Sequence, residues 1–154
     1  MLNPEIDEII EEHILSVLKA ETAYNVVRFY QSLNPQELYQ FIHARLNSAL
    51  GSVYVRVNDL NANPVDTIGE AYSVTAPIEI VLAYPAQKEK ALNSARTVTQ
   101  MKNKVREILI KNPVLIGDDK YFIYWSGGSN LFRDKQVDAR LMKMNVSNIY
   151  SEIT

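Results

Sequence analysis

The sequence predicts an α+β fold: a mostly antiparallel sheet with one long helix packed across a face, preceded by two N-terminal helices. Apolar residues recur at helical spacing in two segments before residue 51 and again in residues 88–111. Between and after these segments, apolar and polar residues alternate as they do in strands with one solvated face. At 154 residues the chain fits one domain, 1–154, that is large enough to bury a core.

The first predicted helix begins at Asn3-Pro4, a capping residue followed by proline at the first helical position, and ends near Ala20. Its apolar stripe consists of Ile6, Ile9, Ile10, Ile14, Val17 and Leu18. Residues 24–30 fit either a strand or a helix that continues from upstream, and their β-branched and aromatic content favours the strand.

The second predicted helix begins at Asn34-Pro35, where Glu37 completes a capping-box-like arrangement, and Gly51 ends it. A half-buried strand follows at 53–57. Residues 58–73 form the longest irregular stretch, which predicts a loop with a functional role or high mobility.

The next predicted strand begins at Pro77, because proline cannot donate to an interior ladder. Its alternate residues Ile78, Ile80, Leu82 and Tyr84 share one face. Val81 and Ala83 make the other face apolar, so we expect this strand to be covered on both sides.

A helix is predicted from about Lys88 to Lys111, roughly 35 Å long and able to cross a small sheet. Residues 114–116 form a short strand or a bridge, and residues 121–125 form an aromatic strand. The composition of 126–130, Ser-Gly-Gly-Ser-Asn, predicts a turn, and residues 138–150 alternate as a long last strand.

The chain offers little reactive chemistry. It has no cysteine, which excludes disulfides, a thiol nucleophile and cysteine-ligated metals. Neither His13 nor His43 has a second ligand at helical spacing, and no phosphate-cradling glycine motif is present. The acidic start does not fit a secretory signal, and no apolar run is long enough to span a membrane. We therefore expect no enzyme, no catalytic or metal-binding residue and no cofactor.

Charge is unevenly distributed along the chain. Residues 1–21 carry six acids and one base, whereas residues 87–111 carry seven bases and two acids. Two interpretations stay open: both are solvated helix faces, or the two faces attract each other within one subunit or between neighbours. The acidic helix 1–21 could also be an extension or a subunit-contact arm.

The aromatic residues near the C-terminus allow two interpretations. Tyr121, Tyr124, Trp125 and Phe132, with Arg133, could form a stacking platform for nucleic acid. Strand alternation and the net charge of −2 favour core and interface positions instead.

The order of segments resembles the tail-terminator, or tail-completion, proteins of tailed bacteriophages, including the Mu-type contractile-tail group. The resemblance rests on a helix pair, the strand SVYVRV, a long polar loop and the proline-entered strand TAPIEIVLAY. A 25-residue helix, the segment YFIYWSGG and the strand DARLMKMNVSNIY complete it, from about Pro35 to Tyr150. It implies a structural virion protein that forms a ring, usually hexameric, which ends the tail tube and joins it to the neck or head connector.

The same resemblance implies partners and a location. The partners would be further copies of the chain and the tail tube, sheath and neck proteins, with nucleic acid only as the genome passing through the ring. The location would be the virion, after assembly in the host cytoplasm. Candidate contacts to subunits or partners are Glu8, Glu11, Glu12, Asp59, Asn61, Asp66, Lys102, Lys104, Arg106, Arg133 and Lys135.

Two alternatives remain. One is another neck or head-completion ring protein. The other, from a different class, is a small nucleic-acid-associated factor or enzyme that uses the basic helix 88–111.

Overall fold

A computed structural model describes residues 6–28, 34–45, 51–57, 61–64, 71–86 and 97–151. Within these ranges the helices are α1 (Ile6–Glu21), α2 (Pro35–Arg45) and α3 (Thr97–Lys111). The strands are β1 (Asn25–Arg28), β2 (Ser52–Val57), β3 (Asn61–Pro64), β4 (Ala71–Pro85), β5 (Val114–Ile116), β6 (Asp119–Arg133) and β7 (Val137–Ser151).

The strands form one curled sheet in the order β1-β2-β4-β7-β6-β5, and β3 pairs with β4. β1 and β2 are parallel, and every other pairing is antiparallel. A parallel pair needs a crossover connection, and α2 lies in the connection from β1 to β2. The sheet is therefore mixed.

One face of the sheet, the inner face, packs against both α1 and α3. α1 contributes Ile6, Ile10, Ile14, Leu15 and Leu18 to the core, which confirms most of its predicted apolar stripe. α3 contributes Val98, Met101, Val105 and Leu109. These side chains meet inward-facing residues of the central strands, among them Val53, Val55, Ile78, Ile80, Leu82, Met142 and Met144. The main core lies in this layer.

The opposite, outer face packs against α2 over part of its area. Phe41 and Ile42 of α2 contact a second buried cluster that contains Tyr54, Val81, Ala83, Val137 and Ala139. The expectation that the strand through Val81 and Ala83 is covered on both sides is thus confirmed.

The predicted architecture is wrong. There is no single long helix lying across an antiparallel sheet behind two N-terminal helices, because the helices divide between the two faces and the sheet is mixed. α1 and α3 have nearly equal lengths, 16 and 15 described residues, and share the inner face. The sequence pattern showed three amphipathic helices but not which face each one covers. Residues 88–96 of the predicted long helix lie outside the described residues.

The segment predicted to be irregular contains strands. The stretch 58–73 includes β3 and the beginning of β4; its remaining residues lie outside the described ranges.

Pro77 stands inside β4 rather than at its start. β2 pairs with β4 up to Ile78, and β3 pairs with it from Thr75, so neither strand is in register with Pro77. On the side of β4 that faces β2 and β3, the missing N–H of Pro77 therefore interrupts no strand pairing.

The turn predicted at 126–130 is also wrong, since these residues lie within β6. Gly127 has φ +151°, and the β6–β7 register shifts between Trp125 and Gly127. The flexible residues form a β-bulge, which has the same composition as a turn. The chain reverses later, where the carboxylate of Asp134 accepts the backbone N–H groups of Gln136 (2.7 Å) and Val137 (2.9 Å).

The remaining elements agree with the sequence. The ambiguous segment 24–30 contains strand β1, with residues 29 and 30 outside the described ranges. Residues 114–116 are a strand, and β7 matches the predicted last strand.

Candidate functional site

An exposed apolar patch lies at the β5–β6 edge of the sheet, on the outer face. Leu115 is 65%, Phe122 57% and Tyr124 43% exposed. Strand alternation places Phe122 and Tyr124 outward, whereas Tyr121, Ile123 and Trp125 point inward toward the core. Leu115 is in register with Lys120, which lies on the same side as Phe122. We call Leu115, Phe122 and Tyr124 the apolar patch.

The apolar patch adjoins an open strand edge. β5 pairs only with Asp119, Lys120 and Tyr121 of β6. From Phe122 to Arg133, β6 pairs with β7 on one side, and no strand among the described residues pairs with its other side. The buried cluster under α2 does not include Phe122 or Tyr124. This corner of the sheet therefore presents apolar side chains beside a strand edge that no described strand pairs.

A cavity of about 290 Å³ lies on the inner face, between α3 and residues 125–130 and 140–141 of the β6–β7 hairpin. We call it the cationic cavity. Its lining residues are Lys102, Trp125, Gly128, Ser129, Asn130, Arg140 and Leu141. Two of its side chains are cations, and the rest of its polar lining can donate hydrogen bonds.

Two cations from successive turns of α3 hold the indole ring that forms one wall of the cavity. The Nζ atom of Lys102 lies 5.7 Å and the Cζ atom of Arg106 5.3 Å from the centroid of the Trp125 ring. The indole lies against the backbone at Gly128. A Cβ atom there would be 2.9 Å from the carbonyl oxygen of Leu141 and 3.3 Å from Cη2 of Trp125. Only glycine leaves room for this arrangement.

Arg140 is fixed from two directions. Its Nη1 donates to Oγ1 of Thr99 on α3 (3.0 Å), and its Nη2 lies 3.6 Å from Oδ2 of the buried Asp138. Its Nε is buried and has no hydrogen-bond partner among the described residues. The guanidinium group is therefore held in place with donor capacity left over.

A cluster of polar side chains joins α2 to the turn between β6 and β7. Oδ2 of Asp134 accepts from the hydroxyl of Tyr39 and from Nε2 of His43, both at 2.9 Å. Burial alone would raise the pKa of Asp134, but the N–H groups of Gln136 and Val137, with Tyr39 and His43, lower that pKa to about 2. The hydrogen bond to Asp134 raises the pKa of Tyr39. Every group in this cluster is used in holding α2 to the hairpin.

The predicted contact residues on the N-terminal helix have different environments. Glu8 is exposed. Glu11 and Glu12 both form ion pairs with Arg28 of β1, and the Glu12 carboxylate accepts from Nη2 of Arg28 at 2.9 Å. Two of these three acids are therefore committed within the subunit.

The three bases proposed on the second charged helix do not share a face. Lys102 and Arg106 lie over Trp125, whereas Lys104 lies on the other side of α3, with its Nζ 5.9 Å from the ring centroid of Tyr24. Arg133 ends β6, and Lys135 follows in the turn, both exposed. Asp59 and Asp66 lie outside the described residues, and of Asn61 only the place in β3 is described.

α1 and α3 do contact each other, through hydrogen bonds rather than ion pairs. His13 Nε2 donates to the carbonyl oxygen of Asn112 (2.8 Å), just beyond α3, and the side-chain amide of Asn112 donates to Glu21 (3.1 Å). Among the residues that the structure describes, no ion pair joins an acid of α1 to a base of α3. The attraction predicted from the charges of the two segments is therefore not accompanied by an ion pair between these helices in the described residues.

The aromatic residues do not form one platform. Tyr121 and Trp125 belong to the inner face, Tyr124 is exposed on the outer face, and Phe132 packs with the cluster under α2. No pattern in the sequence points to Thr99 and Arg140, which are 41 positions apart and meet only where α3 packs on β7. Phe122 could have been singled out as an outward residue by its alternation with Tyr121 and Ile123.

No group of three or more His, Asp or Glu side chains lies close enough to hold a metal ion in the part of the chain that is described. No described helix is both long and apolar enough to cross a membrane.

No protein-family model matches the sequence, and no curated protein matches it.

Proposed function

We propose that the chain is a structural virion protein that forms a ring of identical subunits, which ends a phage tail tube and joins it to the neck or head connector. The apolar patch beside the open edge of β6 carries this proposal. Large exposed apolar side chains that cluster together are typical of protein–protein interfaces, and an unpaired strand edge accepts a further strand.

The patch can supply substantial association energy. Complete burial of a side chain such as Phe122 or Leu115 contributes about 1.5–3 kcal/mol. A strand added along β6 would also pair backbone groups that have no strand partner among the described residues. Against this stands the cost of immobilising each subunit, so several such contacts are needed for a stable ring.

The sheet has two different edges, as a head-to-tail contact requires. β1 stands at one end of the strand order and β5 with β6 at the other. In a closed ring each subunit uses one surface to meet a different surface of its neighbour. The β1 edge carries Arg28 with its partners Glu11 and Glu12, whereas the opposite edge carries the apolar patch, so the two edges differ in character.

The resemblance to tail terminators supplies the place of the ring in the particle. Its quoted strands correspond to β2, β4, β6 and β7, although the glycine segment is a bulge and not a turn. Another neck or head-completion ring protein would use the same kind of contact. Electron microscopy of particles with a labelled chain distinguishes the two: label at the end of the tail tube supports the terminator, and label at the head vertex supports the alternative.

A nucleic-acid factor that uses the basic helix as a continuous stripe has less support. Lys102 and Arg106 lie on one side of α3 and Lys104 on the other, so these bases do not form a single track for a phosphate backbone.

Oligomeric state tests the ring. We expect the purified wild-type chain to form closed rings, six-fold as in the family it resembles, by light scattering coupled to gel filtration and by negative-stain electron microscopy. The double variant Phe122→Ser, Tyr124→Ser removes most of the apolar patch and should shift the population toward monomers.

Ile110→Ser is the matched control. Ile110 is 46% exposed on α3, away from the patch, so its replacement removes a similar apolar surface and should leave the rings intact. A wild-type chain that stays monomeric at all concentrations and salt conditions, or rings that survive the double variant, would contradict the proposal.

A further inference from the structure

We propose that the cationic cavity binds a phosphate group, carried either by a small phosphorylated molecule or by a nucleic-acid backbone. The inference is independent of the ring, because the cavity lies on the inner face and the apolar patch on the outer face. It concerns a discrete pocket and does not need a basic stripe along α3.

The local charge favours an anion. Lys102 and Arg140 line the cavity. Among the described residues, only the carboxylate of Asp138 lies within ion-pair distance of either cation, at 3.6 Å from Arg140. Arg106 lies over the same indole ring as Lys102 but lines a separate surface pocket with Glu107. A phosphate monoester, with a charge of about −1.5 to −2 at pH 7 and several acceptor oxygens, can accept from both cavity cations at once.

The lining is rich in donors. The ammonium group of Lys102 and the guanidinium group of Arg140 can only donate, and the side-chain amide of Asn130, which is in register with Arg140, can donate as well. Phosphate oxygens are acceptors, and hydrogen bonds from cations to them are about twice as strong as neutral ones.

The geometry is prepared before any ligand arrives. Thr99 and Asp138 fix the guanidinium group of Arg140, and Trp125 positions the Lys102 side chain. Because these side chains are already ordered, binding costs less conformational entropy than it would with free surface lysines.

The volume indicates a ligand larger than a bare ion. At about 290 Å³ the cavity is close to the lower end of the range for small-molecule sites, roughly 300 Å³. The edge of the Trp125 indole offers an apolar wall for the group that carries the phosphate.

Titration calorimetry of the full chain tests the site with three probes: inorganic phosphate, adenosine 5′-monophosphate and a short single-stranded DNA, all at equal ionic strength. Lys102→Gln should weaken binding by about tenfold, because one charge-assisted contact is lost. Lys111→Gln is the matched control, since Lys111 lies at the far end of α3 and pairs with Glu107 at 2.6 Å; it should change binding by less than about twofold.

The probes distinguish the two sources of the phosphate. Lys102-dependent binding of the mononucleotide assigns the site to a small molecule, and Lys102-dependent binding of DNA alone assigns it to a nucleic-acid backbone. If no probe binds the wild-type chain, or if both lysine variants weaken binding equally, the proposal is overturned.

Arg140→Gln provides a second variant. Because it leaves Asp138 without its cation, its fold is checked first by circular dichroism. A folded Arg140→Gln chain should lose binding at least as strongly as Lys102→Gln, and a folded variant with wild-type affinity would contradict the site.

Discussion

Among the described residues, two helices cover the inner face of the sheet, whereas one helix covers part of the outer face. The inner cluster includes residues from α1, α3, β1, β2 and β4 to β7, and the outer cluster is limited to α2 and the strands beneath it. Strand β6 contributes side chains to both faces. Its Tyr121 and Ile123 are buried in the inner core, and the alternate residues Phe122 and Tyr124 are exposed.

The difference separates two uses of apolar side chains. On the inner face they stabilise the subunit, because their area is removed from water on folding. At the open corner of the outer face they remain available for association. The same residue types therefore have different consequences when replaced, and substitutions on the two faces measure this directly.

The largest expected effect is on the inner face. Leu109→Ala should lower the free energy of unfolding by about 2–5 kcal/mol, because Leu109 is fully buried and its removal leaves a cavity. Urea denaturation followed by circular dichroism measures the change. The neighbouring Ile110→Ala, at a 46% exposed position, should cost less than about 1 kcal/mol, and equal losses would contradict the assignment of α3's buried side.

The next effect concerns the bulge in β6. Gly128→Ala should destabilise the chain by about 1–3 kcal/mol, because the new Cβ atom would overlap the Leu141 carbonyl and press on Trp125. Trp125 is the one tryptophan of the sequence, so its fluorescence should also change. Ser129→Ala at the adjacent exposed position is the control. A Gly128→Ala chain with wild-type stability and emission would show that the indole does not lie against this backbone.

A smaller effect is expected where α2 is fastened to the outer face. The pKa of Asp134 is about 2 in the folded chain, below its ordinary value of 3.8. A depressed carboxyl pKa stabilises the fold above the ordinary pKa, and that contribution is lost as pH falls from about 4 through 2. Asp134→Asn should therefore cost about 1–2 kcal/mol at pH 7, allowing for solvent screening.

Denaturation of both chains across this pH range measures that contribution. The advantage of wild type over Asp134→Asn should shrink below pH 4 and disappear near pH 2. An advantage that is the same at every pH would mean that the hydrogen-bond geometry, and not the charge of Asp134, holds the turn.

The smallest expected effect is at the apolar patch. Phe122→Ser should change the free energy of unfolding of the dilute monomer by less than about 0.5 kcal/mol, since Phe122 is 57% exposed. Chemical denaturation at low protein concentration checks this. A loss well above that figure would show that Phe122 packs within the subunit and would remove it from the proposed interface.

Much of the fold's local structure followed from sequence periodicity. The alternation of Ile78, Ile80 and Leu82 predicted the inward face of β4, and Val81 with Ala83 predicted its cover on the other side; both are confirmed. The end of α1 near Ala20 and the strand at Val114–Ile116 also agree, and the predicted start of α1 at Asn3-Pro4 lies outside the described residues. These features depend on neighbouring residues, which is why one sequence suffices to predict them.

The arrangement of the elements did not follow from the sequence. Nothing local shows that α1 and α3 share one face while α2 takes the other, or that β1 is parallel to β2. Gly127 and Gly128 suggested a turn because turns and bulges need the same backbone freedom. The cluster of His43 with Asp134, and the approach of Thr99 to Arg140, join residues distant in sequence, so no short pattern reports them.

The long central ladder between β4 and β7 has a consequence for how the chain folds. Ala71 pairs with Ser151 and Pro85 with Val137, so each pair in this ladder joins residues more than fifty positions apart. The β6–β7 hairpin, closed by the short turn at Asp134, is local and can form early. Until β4 docks, Met142, Met144 and Val146 of β7 lack their β4 neighbours Ile80, Ile78 and Ala76. Folding is therefore expected to be slow and limited by the arrival of β4, with a hairpin intermediate whose free edge can pair with other chains.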